Sequence, residues 1–302
     1  MTMLQRLAGA PISWGVCEVP GWGLELSPDR VLGEMHEIGL GATELGPTGY
    51  LPGDPGALRA LLDEYHLRLL GGFVPLILHD PSQSDAAIEA ARQSASLLGG
   101  AGATEFITSM VASSDWAPRF ELDDAGWSHA AQMLATIEDV VGEYGMSQAV
   151  HPHLGTMLER PADVKQVLDR TEVGWCLDTG HLLVGGYDPV EFIADARDRI
   201  RHVHLKDVIL DLARPVFAGE QPIMQGVQNG MFCPVGRGDV AIAEIVMALE
   251  RSGYDGWYTL EQDVALTSGE PPEGQGPKLG VQMSVDYLRG VDAMLAFSQK
   301  AS

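Results

Sequence analysis

Gly174-Trp175-Cys176-Leu177-Asp178-Thr179-Gly180-His181 is an apolar run that ends abruptly in an acid, a turn and a histidine. One strand-plus-helix unit later the pattern returns as Arg201-His202-Val203-His204-Leu205-Lys206-Asp207. Outward from this pair it occurs twice more, as Val150-His151-Pro152-His153 upstream and Thr259-Leu260-Glu261-Gln262-Asp263 downstream. Short apolar runs separated by helical patterns read as parallel strands, and in a barrel their carboxyl ends form one face. Asp178, His204 and Glu261 then point into one pocket, together with a histidine of the upstream segment. A mixed imidazole and carboxylate set suits Mn²⁺, Co²⁺, Fe²⁺ or Zn²⁺ better than Ca²⁺. Period-two alternation also puts Lys206 on the face that carries His204.

The rest of the chain extends the alternation. Strand-like runs fall at 9–15, 41–45, 67–74, 105–110, 148–153, 174–177, 201–206 and 257–261. Ser27-Pro28-Asp29 places a capping serine and a first-turn proline before 31–38, which stops at Gly39. Asp54-Pro55 opens 57–65, Arg160-Pro161 opens a helix to 168, and Asp188-Pro189 opens another. Helical patterns at 86–98, 127–144, 240–251 and 281–297 bring the number to eight. Eight strands and eight helices in strict order predict an α/β fold, a (β/α)8 TIM barrel in one domain over 1–302. The segments 208–233 and 266–282 are long for loops and follow strand C-termini, where active-site covers belong.

With 42 acidic against 19 basic residues, the formal net charge is −23. Such a field repels nucleic acid and anionic membrane surfaces and says little about a neutral substrate. The three cysteines are widely spaced and form no CxxC, so a disulfide scaffold is not expected and a reducing cytoplasm is. Cys176, inside an apolar strand, reads as core rather than as a nucleophile. Residues 1–10 lack the apolar stretch of a signal peptide, and no run approaches the length of a membrane span. Gly236-Arg237-Gly238 lacks the Lys-Ser/Thr of a phosphate loop, and no nucleophile elbow is present.

Plainer roles are open to each polar residue taken singly. Asp178 can cap the following turn, His204 can be a hydrogen-bonded core histidine, and Asp207 is the obvious neighbour for Lys206. Four consecutive strand ends breaking the same way are harder to explain, since a buried carboxylate must be paired or hold a cation.

The segments HPHLGTMLE (151–159), CLDTGH (176–181), HVHLKDV (202–208) and GYDGWYTLEQD (253–263) resemble the xylose-isomerase-like, AP-endonuclease-like TIM barrels, a family of sugar isomerases and epimerases. Within it the chain resembles most the inosose (2-keto-myo-inositol) dehydratase branch, to which APISWG (10–15), TELGPTGYLP (43–52) and VQNGMFCPVGRGDV (227–240) also correspond. The resemblance implies one divalent metal ion, Mn²⁺ or Co²⁺ first and Mg²⁺, Fe²⁺ or Zn²⁺ after them. It assigns Asp178, His204 and Glu261 as ligands, with His151 as the fourth and Glu159 competing for that place. His153, Lys206 and Glu44 are then catalytic candidates, and Trp14, His181 and Glu159 candidates for binding substrate. Trp14 is either an aromatic platform for a ring or a cover for the barrel mouth.

The implied activity is a lyase of inositol catabolism that dehydrates a cyclic polyol ketone such as scyllo-inosose through an enediolate. Two alternatives stay open. One is an isomerase or epimerase of a free keto-sugar, or a 3-keto-glycoside-processing enzyme, on the same scaffold. The other is a non-catalytic polyol-binding protein. Partners are expected to be small molecules, with homo-oligomerisation possible and no nucleic acid or membrane.

Overall fold

A computed structural model describes residues 1–301. Nine parallel strands form the main sheet: β1 (Leu7–Gly9), β2 (Ala42–Thr43), β3 (Arg68–Leu69), β4 (Gly71–Leu76), β5 (Glu105–Met110), β6 (Ser147–Val150), β7 (Gly174–Asp178), β8 (Ile200–Leu205) and β11 (Tyr258–Leu260). A separate antiparallel hairpin pairs β9 (Asp207–Val208) with β10 (Phe232–Cys233). The main sheet runs β3-β2-β1-β11-β8-β7-β6-β5-β4. Its two ends are halves of one run broken at Leu70, whose N–H donates to Thr43 and whose carbonyl accepts from Glu105. The sheet therefore closes through Leu70 into a barrel with eight strand positions. Only glycine fits at 71, because a Cβ there would lie 2.3 Å from the Glu105 carbonyl oxygen.

The eight expected helices are present as α1 (Pro28–Ile38), α2 (Pro55–Glu64), α3 (Ser84–Gly100), α4 (Asp124–Gly142), α5 (Pro161–Arg170), α7 (Pro189–Ala196), α10 (Ile242–Ser252) and α11 (Pro277–Ala301). Three more lie after strand ends: α6 (Thr179–Gly185), α8 (Leu210–Phe217) and α9 (Ile223–Gln228). Caps fix several starts. Ser27 accepts from the Arg30 N–H, Asp54 from Ala57 and Asp123 from Gly126, each satisfying a donor that the helix itself leaves free. The main hydrophobic core fills the space between strands and helices. Inside the barrel the apolar lining is split into two small groups, Ala8, Ala42 and Leu70 on one side, Ile107, Ala149 and Cys176 on the other. Polar side chains separate them, among them buried Glu44, His202 and Thr259.

Three expectations change. The first strand ends at Gly9 rather than running to Gly15, because Pro11 has no N–H for a ladder and starts a 3-10 turn over Pro11–Trp14. The 208–233 segment is no loop: it holds the β9–β10 hairpin and α8 and α9. The last helix starts at Pro277, which shortens the irregular stretch after Leu266. Among the described residues no helix is long and apolar enough to cross a membrane.

Candidate metal centre and its surroundings

Strand register brings the centre together. Asp178 pairs with His204 across β7 and β8, and His204 with Thr259 across β8 and β11, so Glu261 follows two residues beyond on the same face. Asp178, His204 and Glu261 each present a ligand atom within 4.8 Å of the others. His151, one residue past β6, lies with its Nε2 3.4 Å from Asp178 Oδ2, and its ring centroid is 4.8 Å from that of His204. His151, Asp178 and His204 are wholly buried. His204 Nδ1 is 3.5 Å from Asp178 Oδ2 and in contact with Glu261 Oε2.

This donor set fits a divalent cation on two grounds. First, His204 Nδ1 and Glu261 Oε2 are buried against each other with no hydrogen-bond partner besides, a costly state unless something else satisfies them. Second, carboxylates outnumber the fixed cation: Asp178, Glu261 and Asp263 surround the Lys206 ammonium, and Glu44 faces His202 and His204 from behind. Burial works against a charged imidazole at His204, yet Cys176, Glu261 and Glu44 raise its pKa well above the ordinary value. The pocket is thus built to hold positive charge at this point, and a bound cation would displace the His204 proton.

Asp178 has two jobs. Its Oδ1 accepts the His181 N–H at 2.8 Å and caps α6, while Oδ2 faces His151 and His204. The capping role is filled by Oδ1, which leaves Oδ2 free for the ligand role expected as its alternative.

Glu44 sits behind the ligands rather than facing the pocket. Its Oε1 lies 2.8 Å from His202 Nε2 and 2.9 Å from His204 Nε2. Burial opposes its ionisation, but the two imidazoles hold its pKa well below the ordinary range. An ionised Glu44 accepts the Nε2–H of His204 and leaves Nδ1 as the ligand nitrogen, the usual carboxylate–histidine arrangement behind a metal. Glu44, expected as a base, is engaged by both imidazoles, a geometry that suits an orienting role. Glu44→Gln is expected to fold normally and to weaken metal binding by about 10–100-fold, measured by competition with a chromophoric chelator; wild-type affinity would show that the contact does not matter.

Lys206 lies at the floor of the mouth, fully buried. Its Nζ is 2.6 Å from Asp263 Oδ1, 3.2 Å from Glu261 Oε1 and 3.2 Å from His181 Nε2, and 4.8 Å from the centre of the Phe232 ring. Burial lowers its pKa, but Asp263, Glu261 and Asp178 outweigh that and raise it, so it stays cationic. Asp207 is not its partner. Consecutive residues point to opposite faces of a strand, and Asp207 turns outward. Asp263 is pushed by burial up to about 6, with Lys206 opposing.

His153 stands at the half-buried edge of the mouth, its ring 3.9 Å from that of His181. Its Nδ1 donates to the Leu154 carbonyl at 2.8 Å, which leaves Nε2 as the basic nitrogen. Burial, then His151 and Lys206, push its pKa down to about 3, so the ring is neutral. Phe73 and exposed Trp116 stack at 6.2 Å and extend this wall outward. Neither aromatic was anticipated; inward parity along β4 is the signal for Phe73, whereas Trp116 sits in an irregular segment with no periodicity to read.

Two expected residues lie elsewhere. Glu159 accepts from the Gly155 N–H at 2.6 Å and faces Arg160 and Arg119 at 3.5 and 3.9 Å, away from the ligand group. Of the two residues that competed for the fourth place, His151 lies beside Asp178 and His204 and Glu159 does not. Trp14 is buried completely, packs over Gly9 and donates its Nε1–H to Glu34 at 2.8 Å. It belongs to the core outside β1 and offers no face to a ring. Cys176 lies beneath the centre, where burial pushes its thiol up to about 12. It is expected to resist iodoacetamide at pH 8 in the folded protein; labelling as fast as in denatured protein would contradict this.

Comparison with known proteins places this geometry. The family model described as xylose isomerase-like TIM barrel matches residues 32–289. An inosose dehydratase of Geobacillus kaustophilus (strain HTA426) is 31% identical over 307 residues, covering 98% of this chain and 97% of that protein. The rhizopine catabolism protein MocC of Rhizobium meliloti is 32% identical over 275 residues, covering 88% and 84%. Among solved structures, the probable 3-DHS dehydratase AsbF of Bacillus anthracis superposes with a TM-score of 0.70 at 17% identity, over 94% of this chain and 98% of that one. The IOLI protein, solved with a zinc atom, gives a TM-score of 0.71 at 14% identity, over 96% and 99%. At these identities the two structures share the fold.

Proposed function

The chain belongs to the xylose isomerase-like TIM barrel family, and from that premise we propose that it is a dehydratase, a carbon–oxygen lyase, acting on a cyclic polyol ketone such as scyllo-inosose. The observation that carries this reading is the end-to-end relationship with an inosose dehydratase. His151, Asp178, His204 and Glu261 would hold one divalent ion, Mn²⁺ or Co²⁺ by choice, with Zn²⁺, Fe²⁺ and Mg²⁺ as alternatives. When bound, that ion supplies Lewis-acid polarisation of the ketone.

The chain's own groups divide the remaining work. Neutral His153, with Nε2 free, takes the proton from the carbon beside the carbonyl. The electron pair of that C–H bond becomes the C=C bond of an enediolate, and the carbonyl oxygen gains negative charge. The Lys206 ammonium, cationic and dry, stabilises charge developing on oxygen. The C–O bond of the next carbon then breaks, and its hydroxyl leaves with a proton as water. Asp263, raised toward neutrality beside Lys206, is suited to deliver that proton. The enol left behind is that of a cyclic dione. Phe73 and Trp116 flank the way in, where aromatic faces cover the apolar side of a ring.

The setting we infer is a single-domain cytoplasmic enzyme of inositol catabolism. All three cysteines are free, which suits a reducing compartment, and the acidic balance supports a small neutral partner over nucleic acid. Metal-loaded protein incubated with scyllo-inosose is expected to release one water per turnover and yield a dione by NMR. Recovery of an isomeric or epimeric ketose with its oxygen count unchanged would overturn the lyase reading in favour of an isomerase or epimerase. No reaction and no exchange of the α-proton would leave a polyol-binding protein.

A further inference from the structure

We propose that Asp207 is a positioning residue: its buried carboxylate clamps the loop 236–240 and so holds Phe232 against Lys206. The oxygens of Asp207 are taken up by backbone donors. Oδ2 accepts from the N–H groups of Gly236, Arg237 and Gly238 at 2.8, 3.1 and 2.9 Å, and Oδ1 from those of Val208 and Val240 at 2.9 and 3.1 Å. Successive N–H groups turned inward form an anion nest of the kind that binds phosphates and carboxylates. Here the anion is the chain's own side chain. The two glycines are needed for it. Gly236 has φ +84° with the Tyr287 ring against its α-carbon, and a Cβ on Gly238 would lie 2.4 Å from Asp207 Oδ1.

The clamp reaches the active site through two short strands. Asp207 pairs with Cys233 and Val208 with Phe232 in the β9–β10 hairpin. Two residue pairs make a marginal hairpin, so the five charge-assisted bonds beside it carry much of its stability. The Phe232 ring at the end of that hairpin lies 4.8 Å from Lys206 Nζ and 5.7 Å from the His181 ring. Adjacent residues at the junction of β8 and β9 thus serve one device from both sides. Lys206 points in and acts on charge, and Asp207 points out and fixes the aromatic lid over it. The catalytic consequence rests on the dehydratase reading above; the clamp itself does not.

The test uses the full chain with Asp207→Asn, in which an amide nitrogen must face N–H donors and part of the nest is lost. Amide exchange over 234–240 is expected to rise by about 10–100-fold, the worth of one hydrogen bond to a charged group. Acylation of Lys206 by an amine reagent, mapped by mass spectrometry, is expected to rise in step as the hairpin opens. Should Asp207→Asn not fold, Gly238→Ala displaces the same carboxylate and is read the same way. In turnover, Asp207→Asn and Phe232→Ala are expected to be non-additive, the double variant being no slower than the slower single one. Wild-type exchange over 234–240 with Lys206 still protected, or fully additive losses, overturns the proposal. A wild type that fails to dehydrate inosose overturns the reaction assigned above, and exchange and labelling then still decide the clamp.

Discussion

Asp178→Asn is expected to lose the metal and keep the fold. The amide retains an acceptor for the His181 N–H that caps α6, so the helix start survives. What disappears is a charged ligand between His151 and His204. Losing a direct ligand costs more than losing its support, so affinity should fall by more than about 100-fold. Elemental analysis then finds about one equivalent in the wild type and little in the variant. Thermal denaturation gives an independent readout. A ligand held at about 100 times its Kd stabilises the folded state by about 2.7 kcal/mol. Chelator should therefore lower the melting temperature of the wild type and leave that of Asp178→Asn unmoved. Metal-free, the variant should melt somewhat lower than the metal-free wild type, because burial opposes the Asp178 charge but His181 and Lys206 outweigh it and hold the carboxyl well below its ordinary range. Full occupancy in Asp178→Asn, or in Glu261→Gln, would show that the cation is held somewhere else.

Lys206→Met separates charge from metal. The thioether chain fills the same space beneath Gly180, whose α-carbon packs against the Lys206 methylenes. The four proposed ligands are untouched, so metal content should stay at the wild-type level. Turnover should fall by about 10²–10³-fold, the typical cost of removing one group that stabilises an oxyanion in a dry site. The loss should sit in kcat more than in KM, since the ammonium acts on charge that develops only during reaction. Stability should fall as well, because Asp263 and Glu261 lose the cation between them. Unchanged turnover would reduce Lys206 to a counter-ion for those two carboxylates.

The chain order of the barrel was legible because each β/α unit carries its own punctuation. Ser27-Pro28, Asp54-Pro55 and Arg160-Pro161 mark helix starts by local capping and fixed φ, and Gly39 marks a stop. These forces act over a few residues and need no distant partner. The same locality explains the misplaced first strand, where Pro11 turned the chain earlier than the apolar run suggested. It also explains why α6, α8 and α9 were missed: they are short and are stabilised by packing against the barrel mouth rather than by their own periodicity.

Asp178, His204 and Glu261 could be read as a set because strand ends meet in any barrel of this kind, and alternation fixes which side chains turn inward. The sequence by itself therefore determined the barrel, its polar face and the side-chain types gathered there. Tertiary structure decided the division of labour among them. Glu44 is placed to orient rather than to act as a base because it meets His204 across 160 residues of chain. His151 rather than Glu159 lies beside Asp178 because the turn after β6 carries Glu159 to Arg119 and Arg160. Lys206 took Asp263 rather than its neighbour Asp207 as partner. Each of these depends on which atom of one element lies within about 3 Å of an atom of another. Period and propensity give a side chain's face; only the closed barrel sets the distances over which charges and hydrogen bonds act.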